Sequence, residues 1–170
     1  MKTIFTFLIL IFSLTVMSQN SYKHQWEQAD SLEKLGQSQS ALDVVINIYD
    51  QSKTKGEASD FIKSSLMRMK LESDFQEDYF EKSIERTQAE ILTAAEPAKQ
   101  ILHSVLAELY WRYYQNNRWQ ILDRTETAGF ENTDIKTWDL RKLVSKCIEN
   151  YTLSLENKDF LKSTAISDYD

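Results

Sequence analysis

Residues 97–119, PAKQILHSVLAELYWRYYQNNRW, decide how the rest of the chain is read. Ile101, Val105 and Leu109 recur four apart, and Leu102, Leu106, Tyr110 and Tyr113 form a second row beside them, so two adjacent stripes of one helix are apolar. A helix with so broad an apolar arc needs neighbours on more than one side. Pro97, the only proline, marks its start, where a missing N–H costs nothing and the fixed φ suits the first turn. Asn116 and Asn117 mark its end. The helix before it and the last long helix after it are the expected cover.

The composition agrees with long helices. Three glycines and one proline in 170 residues are too few for a turn-rich β sandwich, and the length suits one domain with one core. The net charge of -6 disfavours nucleic acid, whose phosphates require a basic face, and disfavours anionic lipid surfaces.

Residues 1–18 read as a secretory signal peptide. Met1 and Lys2 form a short positive start, Ile4 to Met17 is apolar, and Val16-Met17-Ser18 suits a cut ahead of Gln19. About 14 apolar residues fall short of the roughly 20 that span a bilayer, so stable membrane insertion is not expected. The mature chain, 19–170, is then an exported single domain, periplasmic or extracellular. With Cys147 alone it has no internal disulfide.

Taken in order, Tyr22, Trp26, Ala29, Leu32 (or Glu33) and Leu35 share a helical face that Gly36 stops. Ser40 is the expected cap of a second helix, Ala41 to Lys53, with Leu42, Val45, Ile46 and Tyr49 inward, Ala41 and Ile48 at the margin, and Gly56 as its stop. A third helix opens at Ser59 or Asp60, or as early as Glu57, with Ile62, Leu66 and Met69 on its buried side. Helix, glycine turn, and a helix opening on a small alanine resemble tetratricopeptide packing, without a return at the 34-residue period. Asp74 and Glu77 suit a capping box for a fourth helix, which buries Tyr79, Phe80, Ile84, Thr87, Ile91 and Ala95 and solvates Glu81, Lys82, Glu85, Arg86 and Glu90. Beyond Trp119 the pattern loosens through ILDRTETAGFENTD, where Ile121, Leu122 and Phe130 favour packing onto the scaffold. Asn132 or Thr133 caps a last helix with a broad apolar arc from Ile135 through Trp138, Leu143 and Cys147 to Ile148, Tyr151 and Leu155. The expected fold is all-α, about six helices in antiparallel hairpins, a tetratricopeptide-like array.

Chemical motifs are missing. The chain has no glycine-rich phosphate loop, no Gly-x-Ser-x-Gly elbow and no His-Glu-x-x-His zinc helix, and its two histidines, His24 and His103, cannot complete a zinc site with one cysteine unless carboxylates join them. Neither cofactor nor metal is expected, and no enzymatic activity. His103, beside the most buried rows, reads as a satisfied interior histidine. Asp123-Arg124-Thr125 reads as a pin for loop backbone, with Arg124 also able to bridge to a carboxylate. Trp111 and Tyr114, three apart and off the main rows, form with Arg118 and Trp119 the surface expected to meet a partner.

The run EPAKQILHSVLAELYWRYYQNNRWQILDRTE, then TWDLRKL, with LEKLGQSQSALDVVINIYDQSKTKG and FIKSSLMRMKLE, resembles the helical N-terminal region of large bacterial alpha-2-macroglobulin family proteins. That resemblance implies an endopeptidase inhibitor that traps its attacker through bait and thioester domains, which would follow where this chain stops. Its partners would be those downstream domains or another envelope protein, with proteases engaged only through the trap. Cys147-Ile148-Glu149-Asn150 resembles the family's Cys-x-Glu-Gln thioester, but Asn is one carbon shorter than Gln and Cys147 lies on an apolar arc, so a buried, inert thiol is expected.

Overall fold

Gly36 and Gly56 both stand at φ +71°, the left-handed conformation that ends a helix cheaply only where there is no Cβ. Gly36 N–H donates to the Glu33 carbonyl at 2.8 Å and Gln37 N–H to that of Leu32 at 2.9 Å. Gly56 and Glu57 repeat the pattern on the carbonyls of Lys53 and Ser52 at 3.3 and 2.9 Å. These turns divide α1 (Lys23–Lys34), α2 (Ser38–Lys55) and α3 (Ala58–Glu72).

The computed structural model describes residues 22–124, 133–165 and 169. Among them follow α4 (Tyr79–Ile91), α5 (Ala98–Asn116), α6 (Arg118–Leu122), a 3-10 turn (Ile135–Thr137), α7 (Leu140–Ser154) and α8 (Lys158–Ser163). The fold is all-α, and no strand occurs among the described residues. None of their helices is long and apolar enough to cross a membrane. The signal-peptide reading of 1–18, Gly129 and Phe130 fall outside the described residues.

The helix at 97–119 is the centre of the array, as its two stripes required. Leu102, Leu106, Leu109, Tyr110 and Tyr113 are buried, and Ile101 and Val105 pack on them at the edge. Its cover is α4 on one side and α7 on the other, the two expected, with sparser contact to α3. Alongside α5, α7 runs antiparallel, placing His103 opposite Asn150 and Tyr110 opposite Trp138. A second, smaller apolar cluster, Ala29, Ala41, Leu42, Val45 and Leu71, holds α1, α2 and α3 together. Trp26 packs against it, partly buried, and its indole N–H donates to Asp60 at 2.9 Å, while the buried Tyr22 donates its hydroxyl to Glu57 at 2.6 Å.

Several expectations are corrected. Among the described residues the array has eight helices, two of them short: α6 within the loosened stretch and α8 after the last long helix. Instead of following a Ser40 cap, α2 begins at Ser38, whose hydroxyl donates to Asp74 at 2.5 Å. Asp74, so engaged, caps nothing, and α4 starts at Tyr79 without a side-chain cap. Ala41 and Ile48 are fully buried and Ile46 only partly, so the inward face of α2 is rotated from the one expected. On α3, Leu66 is exposed, while Phe61, Ser64, Ser65 and Leu71 are inside. The last helix is broken: Asp134 caps the 3-10 turn, and Asp139 caps α7 by accepting from Lys142 N–H at 2.8 Å. Thr133 is therefore not that cap, and Asn132 lies outside the described residues. Of the broad arc, Ile148, Tyr151 and Leu155 face outward.

Candidate docking surface

The groups that invite a catalytic reading are used up by packing. His103 Nδ1 lies 2.8 Å from Asn150 Oδ1, and Asn150 Nδ2 donates to the Lys146 carbonyl at 2.9 Å. Both ends of that amide are therefore engaged. Cys147 is buried, and burial, with the Glu108 charge adding to it, pushes its thiol up to about 11, protonated at neutral pH. Burial likewise pushes the Tyr110 hydroxyl up to about 12, opposed by its hydrogen bond with Gln88. Arg124 pins backbone, as its loop position suggested: Nη1 donates to the Trp138 carbonyl at 2.7 Å. No group of three or more His, Cys, Asp or Glu able to hold a metal occurs among the described residues.

The aromatic end of α5 is arranged differently. Asn117 closes α5, its Nδ2 donating to the Tyr113 carbonyl at 2.9 Å, and the chain turns at once into α6. Ile121 is buried and anchors that short helix, which leaves Trp119, two positions earlier, 79% exposed. The Arg118 guanidinium sits 5.8 Å from the Trp119 ring centre. On α5, Trp111 is 40% exposed and packs its ring 5.3 Å from that of the partly buried Tyr114. Thus Trp111 meets Tyr114, and Arg118 meets Trp119.

A cleft of about 550 Å³, which the sequence did not disclose, runs between α3, α4, α5 and α7. Leu66, Met69, Phe80, Val105 and Leu109 give it apolar walls, and Glu108 and Arg112 stand at its polar edge. Glu108 accepts from Arg112 Nε at 2.7 Å and from Tyr151 OH at 3.1 Å. The Arg112 bond, chiefly, holds its carboxyl below the ordinary range against partial burial. The signal for the cleft was present but read inward: Leu66 and Tyr151 were assigned to buried faces and instead stand half open.

Between α3 and α4 lies a polar seam, also missed. Glu72, 3% exposed, takes Arg86 Nη1 at 3.0 Å and Nη2 at 2.5 Å, and Arg68 Nε at 2.8 Å. Burial alone would raise its pKa, but the hydrogen bonds from Arg86 and Arg68 outweigh it and hold the carboxyl below the ordinary range. One turn further along α4, buried Glu90 accepts from Tyr49 OH and from Lys53 at 2.8 Å. Arg86 and Glu90 are therefore not the solvated residues their spacing suggested. Neither a family model, nor a curated protein, nor a solved structure matches the chain.

Proposed function

We propose that the chain is a non-catalytic helical docking module, the N-terminal region of a bacterial alpha-2-macroglobulin-like endopeptidase inhibitor, seating downstream domains or an envelope partner. The observation that carries the docking part is the open indole of Trp119, with Trp111 exposed on the neighbouring helix. Tryptophan and arginine supply much of the energy of protein interfaces, because a broad apolar ring and a polar handle can be buried together. The macroglobulin part rests on the resemblance carried by 96–126 and 137–143, and export rests on the pattern of 1–18. In this reading protease capture belongs to the trap domains, and the chain alone inhibits no endopeptidase.

A second reading, a standalone exported tetratricopeptide-like adaptor, is favoured by the cleft, whose volume and apolar walls suit a bound peptide segment. Photocrosslinkers placed at Trp119 and, as a control, at the exposed Leu35 separate the outcomes in the producing cell. A macroglobulin-type domain joined through position 119 and not through position 35 supports the first reading. Equal labelling from both positions counts against docking at the aromatic end. Size-selective protease inhibition by the chain alone removes the module reading.

A further inference from the structure

Leu66 on α3 and Tyr151 on α7 stand half open at the two lips of the cleft of about 550 Å³. Beyond Tyr151 the apolar surface continues, because Ile148 and Leu155 share its side of α7 and are each more than half exposed. A groove and a ridge therefore lie side by side, and no described helix of this chain closes over either. The charges beside them are matched. Lys63, Leu66 and Lys70 form the exposed stripe of α3, two lysines seven residues apart with the leucine between them. On the flank of the ridge away from the cleft, Glu149 follows Ile148 and Glu156 follows Leu155, again seven apart and exposed. Each stripe thus carries a pair of like charges about two helical turns apart, positive on α3 and negative on α7. Their present partners are weak ones: Lys63 lies over the Trp26 ring at 4.9 Å, Lys70 bridges to Glu33, and Glu149 to Lys146 at 2.6 Å. Ion pairs so open to water contribute little and exchange readily.

We propose that this surface docks a second copy of the chain: the Ile148–Leu155 ridge of each protomer seats in the cleft of the other, with Glu149 and Glu156 of one against Lys63 and Lys70 of its partner. A second copy is the occupant because the patch holds the complement of each of its own parts, which is what an isologous contact requires. With the two-fold axis running along the helices, each ridge falls on the partner's groove. Its outer flank, which bears the glutamates, then falls on the partner's α3, which bears the lysines. The apolar residues supply the affinity, and the opposed charges set the register and exclude a shifted pairing. The contact uses neither Trp119 nor Arg118, so it stands whether or not the aromatic end seats a downstream domain. It does fill the cleft, and a peptide bound there would compete with it.

Sedimentation velocity on residues 19–170, which contain every described residue, reads the state directly. The wild type is expected to pass from one chain to two as its concentration rises. Lys63→Glu with Lys70→Glu, and separately Glu149→Lys with Glu156→Lys, are each expected to remain single chains, because each sets like charge against like. Mixed in equal amounts, the two charge-reversed chains are expected to pair again, since every contact then joins opposite signs. Ile148→Glu, at an exposed position where substitution spares the fold, is expected to abolish pairing, and it keeps the test decisive even where a charge-reversed chain does not fold. A wild type that stays a single chain at every concentration, a charge-reversed chain or Ile148→Glu that pairs as the wild type does, or folded charge-reversed chains that fail to pair when mixed would each overturn the proposal.

Discussion

The α5–α7 contact and the α3–α4 contact join helices of similar length, yet they are built from opposite materials. Between α5 and α7, Leu102, Leu106, Ala107, Leu143 and Cys147 are buried, with His103 and Asn150 paired among them and Tyr151 donating to Glu108 at the exposed edge. Between α3 and α4, Glu72, Ser64 and Ser83 are buried, and Arg68 and Arg86, partly exposed, close over the Glu72 carboxylate. Apolar burial is insensitive to pH and forgiving of geometry, whereas a buried ion pair is stable only while both partners keep their charge. The first contact rests on apolar burial, and the second lays a charged seam beside the apolar cluster that α3 and α4 share.

The largest expected effect breaks the apolar side. Leu102→Ala or Leu143→Ala should cost about 2–5 kcal/mol in urea unfolding, because each side chain is almost fully buried and its cavity cannot collapse. Next, Glu72→Gln should cost about 2 kcal/mol, because the buried carboxylate loses its charge-assisted hydrogen bonds to Arg68 and Arg86, whose partly exposed guanidinium groups can still reach water. Smaller again, Asp139→Ala should cost about 1 kcal/mol through loss of the cap on Lys142 N–H, frayed amides at the start of α7 being visible by hydrogen exchange. The smallest is Trp119→Ala, which should change stability by about 0.5 kcal/mol or less while abolishing position-119 docking, since its ring is mostly in water.

Much of the fold was legible because it is periodic. The double stripe of 97–119, the stops at Gly36 and Gly56, and the α4 and α7 cover of α5 all follow from spacing of three and four and from glycine's freedom at positive φ. What was not legible depends on partners distant in sequence. Glu90 and Arg86 lie in a charged pattern typical of a solvated face, and only the approach of Tyr49 and Glu72 from other helices buries them. Leu66, Ile148 and Tyr151 share the spacing of core residues, yet no helix arrives to cover them. Asp74 has the spacing of a cap, but Ser38, thirty-six residues away, claims its carboxylate. The exposure of Trp111 was legible for a simple reason: it lies off the buried rows of α5.

Distance measurement between spin labels tests the contrast most directly. With Cys147 replaced by serine, one pair at Asp43 on α2 and Gln115 on α5 spans the ionic join, and another at Gln115 and Thr152 on α7 spans the apolar one; all three label positions are exposed. On Glu72→Gln the first distribution of distances should broaden while the second stays fixed, because only the α3–α4 contact relies on that carboxylate. Broadening of both together, or of neither, would contradict a charged seam that acts at the α3–α4 contact alone.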